Sequence, residues 1–256
     1  MRDWVSVSAH AVATYYGRFP VRSVTVKLAS APGVRSSIHG STFGFKDSAL
    51  IRIFVGTQTT DADLRDDWVM THEMVHLAFP SVVEEHNWIE EGIATYVEPI
   101  ARAELGTLNV RTVWRELVDG LPNGLPQGGD RGLDYTHTWG RTYWGGALFC
   151  LLADIDIRKR TANRHGLQDA LRALLDAGGN IEVDDWPLLR ALSAADAGVG
   201  VLVLTSLYDR MKATPIDTNL AELWKQLGVQ PSGDTVTFDN DAPLASIRRA
   251  ITAKPR

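Results

Sequence analysis

The chain has a single cysteine, Cys150, set in the apolar run GGALFCLLADI. An intrachain disulfide is therefore excluded. The setting implies a buried structural thiol, because no neighbouring cation would stabilise a thiolate. No apolar stretch approaches the roughly 20 residues that a membrane-spanning helix needs. The longest candidate, VGVLVLTSLY from Val199, is too short and runs into charge. A basic excess is also lacking: 26 Lys and Arg against 31 Asp and Glu leave a net charge of −5. That balance argues against a nucleic-acid binder. There is no internal repeat and no low-complexity tract. The first ten residues, MRDWVSVSAH, lack the apolar core of a signal peptide, and core-like residues start at the fourth position. The expectation is a soluble protein trimmed from a longer precursor, with its compartment open and export compatible.

What is present suits a globular fold. The 256 residues are 45% hydrophobic and 22% charged, enough for one large domain or two small ones sharing a cleft. AHAVATYYGRFP reads as a helix stopped by Gly17 and Pro20, and SVTVKLAS as a strand with period two. APGVRSSIHGSTFG reads as a turn-rich connection, and SALIRIFVG as a second, largely buried strand. TQTTDADLRDDWVMTHEMVHLAFP predicts one capped helix ended by Pro80, with Leu64, Trp68, Val75 and Phe79 on its buried side. WIEEGIATYVEPI predicts a second helix, ended by Pro99. Residues 107–140 read as loop-rich, with GLPNGLPQGGDRG either a lid or a connector. After Arg141 the chain reads mostly as helix. The fold class predicted is α+β. Residues 1–105 form a sheet-containing half that includes the histidine helix, and residues 106–256 a mainly helical half. The eight tryptophans are expected in core and cleft packing rather than in a carbohydrate platform.

The segment THEMVHLAFP carries the chemistry. A helix advances about 100° per residue, so His72 and His76, four apart, aim their rings at one point. Zinc accepts imidazole nitrogen, and catalytic zinc sites use three protein ligands and keep one position open. Glu73 lies beside that point, where it can take a proton from a water. The third ligand must come from elsewhere. One zinc-peptidase class places a glycine three residues and a histidine six residues beyond the second histidine; Phe79 and Val82 stand there, so that class is excluded. His86 lies in a polar loop and reads as solvated. The helix NWIEEGIATY puts Trp88, Glu91 and Thr95 on one face, and Glu90 with Ala94 and Val97 on another. By pattern alone, either glutamate can bind the metal.

HEMVH followed by WIEEG resembles the gluzincin metallopeptidases of the aminopeptidase-N and glycyl-aminopeptidase type. In those families the second motif is Trp, two variable residues, Glu and Gly, and its Glu is the third zinc ligand. The resemblance implies one Zn2+ per chain, held by His72, His76 and Glu91, with Glu73 as general base. It implies a thermolysin-like catalytic domain, a small sheet subdomain followed by helices with the cleft between, and peptide or protein substrates. Further on, RTYWGGALF resembles the families' Tyr, variable residue, Lys, Gly motif, whose tyrosine steadies the oxyanion. That selects Tyr143, with Tyr135 in reserve, and Gly145 stands where the families have Lys. The tail LYDRMKATPIDTNLAELWKQLGV is similar to the helical end of the glycyl-aminopeptidase group, so the likeness extends over about residues 10–230.

Two departures stand out. Only fourteen residues lie between His76 and Glu91, fewer than in those families. IHGSTFGFKD has no glutamate where those aminopeptidases grip the substrate's amine, and Asp47 is off the motif, so exopeptidase and endopeptidase action both stay open. In that stretch Gly40, Ser41 and Thr42 are expected to run beside a peptide as an edge strand, while His39 reads as a strand or turn residue. Asp154 or Asp156 is expected either to orient a metal-bound imidazole or to lie on a helix surface. The competing functional reading is a non-catalytic peptide-binding or scaffold protein that keeps the fold, and the retained Glu73 counts against it. A zinc hydrolase acting on a non-peptide amide is a third.

Overall fold

A computed structural model describes residues 1–31, 38–183 and 186–254. Those residues form a mixed fold of eleven α-helices and two small sheets. Helix α1 (Arg2–Tyr16) ends at Gly17, whose φ of 76° is the left-handed cap that glycine adopts without strain. It starts well before the predicted helix, because Trp4, Ser8, Ala11, Val12 and Tyr15 repeat at helical spacing and are buried. Strands β1 (Thr25–Ala31), β2 (Ile38–Phe45) and β3 (Ser48–Gly56) form a sheet in the order β1-β3-β2. β1 runs parallel to β3, and β2 antiparallel. The predicted turn-rich connection thus contains a strand from Ile38. Its residues alternate between half-buried and exposed, a period-two pattern that its glycines obscure in the sequence. The part of that connection from 32 to 37 lies outside the described residues. β3 turns Ile51, Ile53 and Val55 into the core, worth roughly 2 kcal/mol each in buried apolar surface.

The predicted histidine helix is two helices, α2 (Asp61–Asp66) and α3 (Val69–His76). Asp67 makes the break. Its backbone is extended, and its carboxylate accepts hydrogen bonds from Val69 N at 3.1 Å, Met70 N at 3.0 Å and Trp4 Nε1 at 2.9 Å. A side chain that caps new amide donors competes with helix continuation. Every residue of α3 from Val69 to Val75 is buried, and the helix ends before Pro80. The break changes the phase: Leu64, Val75 and Phe79 are buried as predicted, but Trp68 is 52% exposed.

Helix α4 (Asn87–Leu105) runs through Pro99 instead of ending there. An interior proline costs about 3 kcal/mol, but the five residues after it are buried, and their packing offsets that cost. Helix α5 (Val110–Gly120) lies in the stretch read as loop. Its signal was legible: Asn109 caps Arg111 N, and Val110, Val113, Trp114 and Leu117 follow helical spacing. A single π turn over Arg141–Gly145 leads into α6 (Gly146–Arg160). The remainder is helices α7 (Leu167–Asp176), α8 (Leu188–Val199), α9 (Leu204–Met211), α10 (Leu220–Leu227) and α11 (Ala245–Ile251), with a hairpin of β4 (Val229–Ser232) and β5 (Thr235–Phe238) before α11. No helix among the described residues is long and apolar enough to cross a membrane. Cys150 is buried in α6, and burial pushes its thiol pKa well up, as a structural cysteine requires.

Candidate metal centre

His72, His76 and Glu91 come together where α3 crosses α4, with their ligand atoms within 4.8 Å of one another. Glu91 Oε2 lies 3.1 Å from His72 Nε2 and 3.7 Å from His76 Nε2. Tetrahedral zinc with bonds near 2.1 Å sets its ligands about 3.4 Å apart, so the two distances bracket the value the metal needs. The shifts at His76 and Glu91 agree with that geometry. Burial, with the neighbouring His72, pushes His76 down to about 4, so it is a neutral imidazole with a free lone pair. Burial would raise Glu91, but its hydrogen bond to His72 and the two imidazoles outweigh that, and its pKa is lowered. A half-buried carboxylate facing two imidazole nitrogens is a donor set of the kind zinc accepts. These residues fit a zinc ion.

Aromatic packing orients the His72 ring. Trp68 meets it edge-on at 5.4 Å, His76 at 5.0 Å, and Tyr143 lies nearly parallel at 6.2 Å. Its Nδ1 is buried and has no hydrogen-bond partner among the described residues.

Glu73 is 7% exposed, and burial raises its pKa. Strand β2 holds it. Thr42 Oγ1 is 2.6 Å from Glu73 Oε2 and 2.8 Å from the Glu73 carbonyl oxygen. A Cβ on Gly40 would come within 2.3 Å of Glu73 Cγ, so only glycine leaves room for the carboxylate there. Gly40 and Thr42 alternate with Ser41, whose side chain is exposed and donates to the Gly40 carbonyl oxygen. The three residues named for substrate contact therefore divide: two face Glu73 and one faces out. β2 is an edge strand of its sheet. The contact between Thr42 and Glu73 has no motif of its own and was not read from the sequence.

Tyr143 sits in the π turn, a distortion common at functional sites. Burial pushes its hydroxyl up to about 12, with further contributions from the Glu91 and Glu73 charges and a hydrogen bond to Glu91. Arg141, two residues earlier, is buried. It donates to the Gly124 carbonyl oxygen and lies 2.7 Å from Asp130, which ties the 121–130 loop down beside this turn. Tyr135 is 47% exposed and packs under Arg131.

The other weighed residues are engaged elsewhere. Glu90 accepts a hydrogen bond from Val82 N at 2.7 Å, and burial pushes it up to about 7. Asp154 takes no part in orienting an imidazole: it accepts from Tyr96 Oη, Arg158 Nε and Leu167 N. Asp156 pairs with Arg160 at the surface. His86 is not a free loop residue; its Nδ1 is 3.1 Å from Asp134, a carboxylate that also binds Trp88 and Tyr208.

Comparison with solved structures finds the same fold. The aminopeptidase N family protein from Idiomarina loihiensis superposes with a TM-score of 0.59 at 12% identity, over 94% of this chain and 48% of that one. The M1 zinc metallopeptidase from Deinococcus radiodurans gives 0.51 at 17% identity, over 85% of this chain and 47% of that one. The chain thus spans about half the length of each. No family model matches the sequence, and no curated protein matches it.

Proposed function

We propose that the protein is a zinc-dependent peptidase with a thermolysin-like catalytic domain, in which residues 1–105 and 106–256 are the two halves flanking the cleft. The observation that carries this reading is the pairing of a zinc-compatible donor set with a buried carboxylate beside it and a tyrosine hydroxyl across from it. His72, His76 and Glu91 would hold one Zn2+, which when bound polarises an acyl oxygen and acidifies a water. Glu73 takes the proton of the attacking water. Its raised pKa makes it a stronger base than an exposed glutamate and lets it pass that proton to the leaving amine. Thr42 keeps its carboxylate aimed. Tyr143, high in pKa and therefore protonated, donates a hydrogen bond to the developing oxyanion. The outer edge of β2 offers backbone groups to an extended peptide through Gly40, Ser41 and Thr42.

The test begins with elemental mass spectrometry of the purified protein and its Glu73→Gln variant, then assays on peptides with free and blocked N-termini. About one zinc in each, with hydrolysis only by the parent, is the expected result. Zinc absent from both after supplementation would defeat the proposal.

A further inference from the structure

A pocket of about 690 Å³ opens beside His72 and Tyr143. Its position follows from one stripe of α4. Glu91, Thr95, Glu98 and Arg102 are spaced four, three and four apart, so they share a helix face. Glu91 belongs to the metal centre, while the other three line the pocket. The pocket is therefore the continuation of the same cleft. Glu98 lies seven residues beyond Glu91, about 10 Å along the helix axis.

The walls and the far end differ in chemistry. Trp68, Trp139 and Trp144 line the pocket with Pro99, Leu108 and Leu117. Trp68 and Trp139 are 52% and 63% exposed, which is costly for indole rings unless something covers them. Three carboxylates, those of Asp66, Glu98 and Glu116, line the same pocket with one guanidinium, that of Arg102. Arg102 is committed: it donates to Glu98 Oε1 at 2.9 Å and to the Asp66 carbonyl oxygen at 3.3 Å. Asp66 and Glu116 have no ion pair of their own among the described residues. Burial raises Glu98 to about 8, so it holds its proton at neutral pH, whereas Asp66 and Glu116 are exposed carboxylates, with the Arg102 charge acting on Glu116. The pocket thus has an aromatic collar, a length of about two helical turns and two carboxylates, those of Asp66 and Glu116, against the single Arg102 guanidinium.

We propose that this pocket receives a long cationic side chain, arginine or lysine, of a peptide substrate; the inference rests on the peptidase reading above. The alkyl stem lies against the indoles, where cation–π attraction adds to apolar contact. The charged end reaches the carboxylates of Asp66 and Glu116. A phenyl side chain would fill the collar but leave that charge uncompensated.

The experiment uses blocked peptides that carry arginine, citrulline, phenylalanine or glutamate at each position around the cleaved bond. Citrulline keeps the shape of arginine without the charge. Arginine is expected to exceed citrulline at least about tenfold in kcat/KM, and the ratio should fall at least threefold in Glu116→Gln. Tryptophan fluorescence titration of Glu73→Gln with the arginine and citrulline peptides supplies a readout that needs no turnover. Selective binding of the arginine peptide without hydrolysis by the parent would defeat the peptidase reading and leave the pocket assignment standing. Hydrolysis with arginine and citrulline equal in rate and in binding, or with phenylalanine preferred, would overturn the pocket assignment alone.

Discussion

Gly92 and Gly146 meet backbone to backbone: a Cβ on Gly92 would come within 2.4 Å of Gly146, and one on Gly146 within 2.1 Å of the Trp88 carbonyl oxygen. The contact joins α4 to the start of α6. Glu91 precedes Gly92 by one residue and Tyr143 precedes Gly146 by three, so the close approach brings the carboxylate and the phenol together. The glycine after the motif glutamate is thus a packing requirement with a consequence for the site.

Gly92→Ala is expected to force the two helices apart. Overpacking of a tight contact costs about 1–3 kcal/mol, so thermal denaturation should show a clear drop in Tm. Turnover should fall further than the stability loss explains, because Tyr143 retreats from Glu91. A variant with parental Tm and turnover would show that the contact is slack.

Glu91→Ala should remove most of the zinc, while Glu90→Ala should retain it, since Glu90 is spent on Val82 N. Equilibrium dialysis against a zinc chelator compares them directly. The opposite order would move the third ligand by one residue.

Tyr143→Phe keeps the ring that packs on His72 and removes only the hydroxyl. We expect kcat to fall about 10²–10³-fold with KM little changed, the signature of a donor used in the transition state. An effect confined to KM would assign Tyr143 to substrate binding.

Stability should depend on pH through Glu104. Burial pushes this carboxyl up to about 8, against a hydrogen bond from Gln168 Nε2, 2.9 Å from each oxygen. The folded state therefore holds the proton more tightly than the unfolded chain. Its contribution is complete below pH 4.5, the ordinary value, and is lost as pH rises through about 8. Glu104→Gln should flatten the fall of Tm between pH 5 and 9 without abolishing it, because Glu98 behaves in the same sense. Parallel Tm profiles for parent and variant would contradict this.

Local chemistry was legible where it is written at fixed spacing along one helix. His72, Glu73 and His76 occupy one turn of α3, so their proximity needs no tertiary information. The stripe from Glu91 through Thr95 and Glu98 to Arg102 is equally periodic, although its role as a pocket wall depends on what faces it. At two places local preference loses to packing. Pro99 does not end α4 because its neighbours are buried, and Asp67 breaks the histidine helix because its carboxylate finds Trp4 Nε1, sixty-three residues away.

The sequence by itself determined the donor types and their order: two imidazoles and a carboxylate on one helical turn, and a glutamate-glycine pair on the next helix. Tertiary structure alone decided that Thr42 and Gly40 shape the space around Glu73, and that Gly92 and Gly146 draw Tyr143 to the site. The physical reason is range. Helical periodicity acts over a few residues, while close packing joins groups tens of residues apart and is set by side-chain volumes that meet only in the folded chain.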